Sequence, residues 1–460
     1  MLRTELHHLG IFPPQQSMSR LTSVHVQVTT WHTPGLMYLG LAFPELRSLH
    51  VITPYIHGLS HAPDGGLFCG IQGCCNLRSL RLEDLRVTND AVPPAAAALA
   101  RLPCLKEVHL QSSTPLGLPA QLTGLTQLLL YGYDQPWVSA VKNLAKLQSL
   151  TVVPRNFTAE YPEAYSGLEA SVLEQLLTAC TSITSLDIRT YTLDQQGLDV
   201  LLAHGSTITT LKVPAIQATQ DRTHAKWHVS KLILVDGHVH QVAHLPLKSV
   251  QELQLGRVPG SLQLQLYGDT ISAVLPLLQT AATNMAACPA WQSGQHSGIE
   301  LSGGDHSEIQ GSIDSPHLIQ LFSALAPLAA PHIKAFKLHL QGNVGSLLIL
   351  GRAEVEALGR SPGQHLETLV LDWASATKTF WPALSAALPQ LSSLQFGGDA
   401  DGAAPCTSQD LTVYCCSRPA SRPLAVCIPQ YCYNTWDCAE LMGSIRAQGL
   451  THITISAWDA

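Results

Sequence analysis

The stretch VLEQLLTACTSITSLDI, residues Val172–Ile188, holds two different periods side by side. In its first half Val172, Leu173, Leu176 and Leu177 recur three and four apart, which places them on one face of a helix. In its second half Ile183, Leu186 and Ile188 follow the frame Leu-x-x-Leu-x-Leu, with aliphatic substitutes allowed. Positions 4 and 6 of that frame alternate as in a strand, so both side chains point to the same side. Position 1 adds a third apolar anchor as the chain turns into the strand. A helix followed by a strand, each with one apolar face, cannot bury its leucines alone; neighbouring copies must stack to do so.

The frame recurs along the chain. It begins at Leu21, Leu46, Leu77, Leu105, Leu125, Leu147, Ile183, Ile208, Val229 and Val250, and after a gap at Ile333, Leu366, Leu391 and Leu450. Helical spacing fills several intervals: 137–147, 169–180, 194–204, 271–287, 316–328, 353–360 and 436–448. Strand, crossover helix and strand in regular alternation predict an α/β solenoid with a parallel sheet.

These frames and helix-then-strand units resemble the leucine-rich-repeat superfamily, in particular its longer ribonuclease-inhibitor-like and F-box-associated branch. The resemblance covers roughly residues 21–456. It implies a curved horseshoe with the parallel sheet on the concave side and helices and loops on the convex side. It also implies a protein-binding scaffold. Position 9 of the frame departs from the family's usual Asn or Cys: it is Thr29, Pro54, Leu85, Ser113, Tyr133 and Arg155 in the first six copies. Only twenty residues precede Leu21, too few for an F-box, so a ubiquitin-ligase adaptor role is not expected.

The expected organisation is an N-terminal cap over 1–20 that covers the first strand with Leu2, Leu6, Leu9, Ile11 and Phe12, then repeats over 21–255. Irregular repeats with a polar insertion follow over 256–332, then C-terminal repeats over 333–460 with a cysteine-rich segment at 406–438. Within the irregular part, Leu262, Leu264 and Leu266 alternate as a strand, and Ile299 and Leu301 mark a degenerate one. The Gly-, Ser- and Gln-rich residues 291–316 read as a surface insertion containing a loop. Residues 157–168 read as a further loop. Residues 397–422 read as loop around a short strand Leu411–Tyr414, followed by a strand Leu424–Ile428. No linker composition divides the chain. The last frame leaves Thr451–Ser456 as an edge strand.

Of the 460 residues 46% are hydrophobic and only 13% charged, and the formal net charge is −7 with 21 histidines counted as neutral. That composition supports a large core and excludes a disordered chain. It offers no basic field for nucleic acid or an anionic membrane. The most apolar run, Leu318–Ile333, is interrupted by Gln320, Ser323, Pro327 and Pro331, so no transmembrane helix is expected. The N-terminus lacks the pattern of a secretory signal. The expected compartment is intracellular and cytoplasmic, with attachment to a cytoskeletal or ciliary assembly left open. The twelve cysteines lack the paired spacing of a zinc module, and most are expected as buried free thiols.

No phosphate-binding loop, zinc-protease helix or nucleophile elbow occurs. His224, His228, His238, His240 and His244 invite a metal reading, but the frame at Val229 places them in the loops flanking one strand, as solvated side chains. The expected function is therefore a non-catalytic scaffold that binds another protein and needs no cofactor or metal. The alternatives are a structural component of a cytoskeletal or ciliary assembly, or an enzyme with its site in 256–332. Affinity would come from charged and aromatic residues at exposed strand positions: His25, His50, Arg81, Glu83, Glu107, His109, Tyr131, Asp187, Arg189 and Lys212. Lys231, Lys337 and Asp372 belong to the same set of positions. Position 5 lies between the two inward leucines and points to the open side. In the first copies it is His25, His50, Arg81 and His109, which predicts a row of imidazoles around one guanidinium. Such neighbours disfavour one another's protonation.

Overall fold

A computed structural model describes residues 2–5, 20–27, 39–52, 66–85, 92–112, 122–131, 141, 143–153, 166–188, 191–235, 238–256, 259–266, 271–303, 315–340, 348–361, 363–372, 374–396, 408–418, 421–429 and 438–458. The chain divides into two compact units, residues 1–216 with 227–229 and residues 217–226 with 230–460, where the sequence showed no linker.

The first unit contains β1 (Leu2–Glu5), β2 (Ser23–Gln27), β3 (Ser48–Ile52), β4 (Ser79–Leu85), β5 (Glu107–Ser112), β6 (Gln127–Tyr131), β7 (Ser149–Val153), β9 (Ser185–Asp187) and β11 (Thr210–Val213). These nine run parallel in that order. Two short strands outside this ladder, β8 (Ser166–Gly167) and β10 (Tyr191–Thr192), pair with each other. The second unit contains β12 (Lys231–Leu234) paired with β13 (Glu252–Leu255). It also holds a seven-stranded parallel sheet of β14 (Ser261–Leu266), β15 (Gly298–Gly303), β16 (Ala335–His339), β18 (Thr368–Asp372), β20 (Ser393–Phe396), β21 (Leu424–Pro429) and β22 (Ile453–Trp458). The short strands β17 (Leu348–Leu350) and β19 (Ala374–Ala376) pair outside it.

Every one of the fourteen frames lies on one of these strands. Positions 4 and 6 form the core: Leu49 and Val51, Leu80 and Leu82, Leu128 and Leu130, Leu150 and Val152 are all buried, as are Leu186, Leu211 and Leu369. A one-residue slip would turn each pair outward, so burial of one face fixes the register. The fold is an α/β solenoid of leucine-rich repeats.

A second periodicity lies in the backbone. The amides of frame positions 2 and 3 both donate to the carbonyl of position 2 in the preceding repeat. Arg47 and Ser48 donate to Thr22, Arg78 and Ser79 to Arg47, Lys106 and Glu107 to Arg78, and so on through Thr209 and Thr210, at 2.8–3.0 Å. In the second unit Glu367 and Thr368 donate to Lys334, and Ser392 and Ser393 to Glu367. One carbonyl has two lone pairs, so each repeat satisfies two amides of the next as the chain enters its strand. Hydroxyls at position 2 add a third donor: Thr126, Thr184 and Thr209 reach the carbonyls of Lys106, Gln148 and Thr184 at 3.2 Å. The atypical position 9 residues Thr29, Pro54, Ser113, Tyr133 and Arg155, and the Leu85 side chain, lie outside the described residues.

Helices form where expected at Ala170–Ala179, Gln195–His204, Ile271–Ala286, Ser315–Ala324, Arg352–Arg360 and Cys438–Ala447. Asp194 caps the second of these by accepting from the Gly197 amide at 2.7 Å. The helix expected at 137–147 falls mostly outside the described residues.

Several expectations change. Leu2–Glu5 covers the edge of β2 by pairing with it as a further parallel strand, and residues 6–19 lie outside the described residues. The polar stretch 291–316 is not simply an insertion. Gly298–Gly303 is a full strand between β14 and β16, with Ile299 and Leu301 buried, and residues 304–314 lie outside the described residues. Leu411–Tyr414 is not a strand but part of the helix Ser408–Ser417. Its buried residues Leu411, Tyr414 and Cys415 are spaced three and four apart, and Val413 is exposed. The apparent alternation in LTVY was a fragment of a helical face. At the far end β22 pairs with β21 on one side and, among the described residues, with nothing on the other.

Candidate partner-binding face

Because positions 4 and 6 point into the core, positions 3, 5 and 7 point to the opposite, open face of the sheet. In the first unit position 5 forms one register-aligned row across adjacent strands: His25, His50, Arg81, His109, Leu129, Thr151, Asp187 and Lys212. Arg81 is exposed and the other seven are half-buried. Position 3 is mostly small and polar, with Ser48, Ser79, Ser149 and Ser185, but Glu107 stands there on β5, exposed.

The four residues expected to line up at one end do so. The rings of His25 and His50 stack with centroids 4.2 Å apart. Arg81 pairs with Glu83, its neighbour two residues along β4. The Glu83 carboxylate also lies 3.3 Å from His50 Nε2, a close approach whose geometry falls short of a hydrogen bond. Glu83 was expected to be exposed; its side chain retains only 15% of its accessibility, because His50 and Arg81 flank it. An open hollow of about 280 Å³ sits beside this cluster, lined by Arg81, Glu107, His109, Gln127, Leu129 and Thr151 among others.

Burial pushes the His50 imidazole below its ordinary value; Glu83 pulls it back up, and His25 and Arg81 push it further down. His109 is lowered by burial first and by Arg81 second. Repulsion between cations was the cause expected from the sequence, but desolvation is the larger one. Burial raises Glu83, yet its contacts with Arg81 and His50 outweigh that and leave its carboxyl below the usual range.

Asp187 and Lys212 face each other across β9 and β11 at 3.9 Å. Tyr131 is in register with Gln111 and Val153, at position 7; its side chain and the whole of Arg189 lie outside the described residues.

The second unit carries a charged group on the outward face of its own sheet, built from β14, β15, β16 and β18. Lys337 lies between Glu300 at 3.5 Å and Asp372 at 3.8 Å. Gln263 donates to Glu300 at 3.1 Å, and His339 Nδ1 is 3.1 Å from Asp372 Oδ2. The sequence pointed to Lys337 and Asp372 but missed Gln263, Glu300 and His339. All three occupy positions 5 and 7 of strands, and the register rule alone would have found them. Ser302 is the register partner of His339 on β15. On β12 and β13, Lys231 pairs with Glu252 at 2.5 Å.

Of the histidines around Val229, His224 and His228 are exposed in the non-helical stretch 221–230, as expected. His238 and His240 stack 5.5 Å apart where the helix Val239–His244 begins, half-buried rather than solvated. Burial, with His240 adding to it, lowers His238 to about 4. Among the described residues, no three His, Cys, Asp or Glu side chains gather in a way that would hold a metal ion. The described cysteines are free, but Cys69, Cys75 and Cys104 are exposed rather than buried; of the segment 406–438 only the Cys415 and Cys427 thiols are described. Among the described residues no helix is long and apolar enough to cross a membrane.

No protein-family model matches the sequence, and no curated protein matches it. Among solved structures the chain is similar to an internalin from Listeria monocytogenes, at 16% identity and a TM-score of 0.44, over 84% of this chain and 89% of that one. It is also similar to a chain of the Rad7 and Elc1 complex in yeast, at 13% identity and a TM-score of 0.32, over 84% of this chain and 76% of that one. The assignment of the fold rests on the chain's own register, burial and backbone ladder.

Proposed function

We propose that this chain is a non-catalytic scaffold that binds another protein on the open, sheet side of its leucine-rich repeats. The observation that carries the reading is the position 5 row of the first unit. Eight side chains on adjacent parallel strands, all at least partly accessible, present His, Arg, Asp, Lys, Thr and Leu in register. A row of this kind gives a partner a pre-ordered surface, so little conformational entropy is lost on binding. Ten-residue helices followed by strands, as at Ala170–Ala179 and Gln195–His204, support the longer-repeat, ribonuclease-inhibitor-like branch. Free thiols on the surface support an intracellular, cytoplasmic location.

The test is site-specific photocrosslinking in the cells that make the protein. A photoreactive residue at Leu129 or Thr151 should capture the same partner from both positions. One at Gln175, on the exposed side of the helix Ala170–Ala179, should not. Adducts from Gln175 with none from the open face would contradict the proposal.

A further inference from the structure

The cluster on β2–β5 already holds a carboxylate. Glu83 reaches from β4 to Arg81 and to His50, and the stacked ring of His25 continues the row on one side and His109 on the other. We propose that this row receives a carboxylate-bearing segment of the partner protein under mildly acidic conditions, and that Glu83 occupies the place of that segment at neutral pH. The inference rests on the open face being the binding face.

Charge decides the direction. The groups facing the row are Arg81, the carboxylates Glu83 and Glu107, and the imidazoles His25, His50 and His109. From β6 the facing residues are Gln127 and Leu129, which carry no charge; on β1 the register partner of His25 is Arg3. Arg3 and Glu5 of β1, in register with His25 and Gln27, offset each other, so with neutral imidazoles Arg81, Glu83 and Glu107 leave the cluster at about −1, which repels an acidic segment. With three protonated imidazoles it stands at about +2. Burial and Arg81 hold His50 and His109 below the ordinary histidine value, so the change of sign falls below about pH 6.5. An incoming carboxylate stabilises the protonated rings, so binding draws in protons, and by linkage protons strengthen binding. The hollow beside Arg81 and His109 gives that carboxylate room, and position 3 serines flank it with hydroxyl donors. Nothing in the core has to move, because every group named sits on the outward side of its strand.

The experiment measures binding of a fluorescein-labelled oligoglutamate peptide to the full chain by anisotropy at pH 7.5 and pH 5.5. The wild-type protein should bind about tenfold or more tightly at the lower pH. The combined change His25→Gln, His50→Gln and His109→Gln should remove most of that gain. Replacing the exposed His204, His224 and His228 with Gln removes as many imidazoles from elsewhere and should leave the gain intact. Glu83→Gln should tighten binding several-fold at pH 7.5, because the resident carboxylate is gone. Calorimetry of the unaltered protein at pH 6, in buffers of different ionisation enthalpy, should show net proton uptake on binding. Equal loss of the gain in both triple variants, weaker binding by Glu83→Gln, or no proton uptake would overturn the inference. If Leu129 and Thr151 still crosslink a partner while the peptide shows no pH dependence, the scaffold reading survives and this inference alone fails.

Discussion

At the scale of single residues, two side chains away from the open face are the most heavily committed. His238 stands before the helix Val239–His244 with a pKa of about 4, against an ordinary 6.5. The unfolded chain therefore binds a proton between those values that the folded chain refuses. Stability from this residue is complete above pH 6.5 and is lost as pH falls towards 4, a loss of up to about 3 kcal/mol. Urea unfolding from pH 7 to 4.5 should show that decline, and His238→Asn, which removes the titrating ring and puts a residue type favoured at a helix N-cap in its place, should flatten it. Glu354 is buried at the start of the helix Arg352–Arg360; it accepts from the Gly351 amide at 2.7 Å and from the Ser315 hydroxyl. Glu354→Ala leaves both donors unpaired and should cost about 1–3 kcal/mol in denaturant unfolding, with Glu354→Gln costing less.

At the scale of elements, packing between neighbouring helices sets the tolerance for substitution. A Cβ on Gly359 would lie 2.8 Å from the Cβ of Ala387 and 2.9 Å from its carbonyl oxygen, so the helices Arg352–Arg360 and Phe380–Ala387 touch through bare backbone. Gly359→Ala should destabilise by about 1–3 kcal/mol. Gly443, in the helix Cys438–Ala447, has nothing within 4 Å, and Gly443→Ala should be neutral or stabilise by up to about 1 kcal/mol. Thermal unfolding of the two variants should move in opposite directions. The elements also show where a sequence can be read. Frames with three anchors, such as Leu147, Leu150 and Val152, are unambiguous because a helix cannot place all three on one face together with the polar residues between them. The four-residue run Leu411–Tyr414 carries too few residues to separate the two periods, and only Cys415 and Arg418 further along reveal the helix. The strand Gly298–Gly303 has glycine at both ends and the polar Glu300 at its centre, so its surroundings read as loop although Ile299 and Leu301 hold it in the sheet.

At the scale of the whole molecule, one repeated rule connects sequence, fold and site. Apolar positions 4 and 6 fix which way each strand faces, and that alone places His25, His50, Arg81 and His109 in one row. What the row does to itself was less legible. Glu83 reaches back across β3 and β4 to His50, and desolvation outweighs repulsion; neither follows from spacing along the chain. The network around Lys337 was half seen for the same reason, since its partners come from strands 30 or more residues away in sequence.

The central claim is that in the first unit consecutive frames are consecutive strands of one parallel sheet, with position 5 facing outward. Double electron–electron resonance between bioorthogonal spin labels tests it directly in the first unit. Labels at His50 and Thr151 are four strands apart, and labels at His50 and Lys212 are six apart. At about 4.8 Å per strand the two distances should centre near 19 and 29 Å. Narrow distributions growing in that proportion are the predicted result. Distances that do not increase with the number of intervening strands would contradict the account.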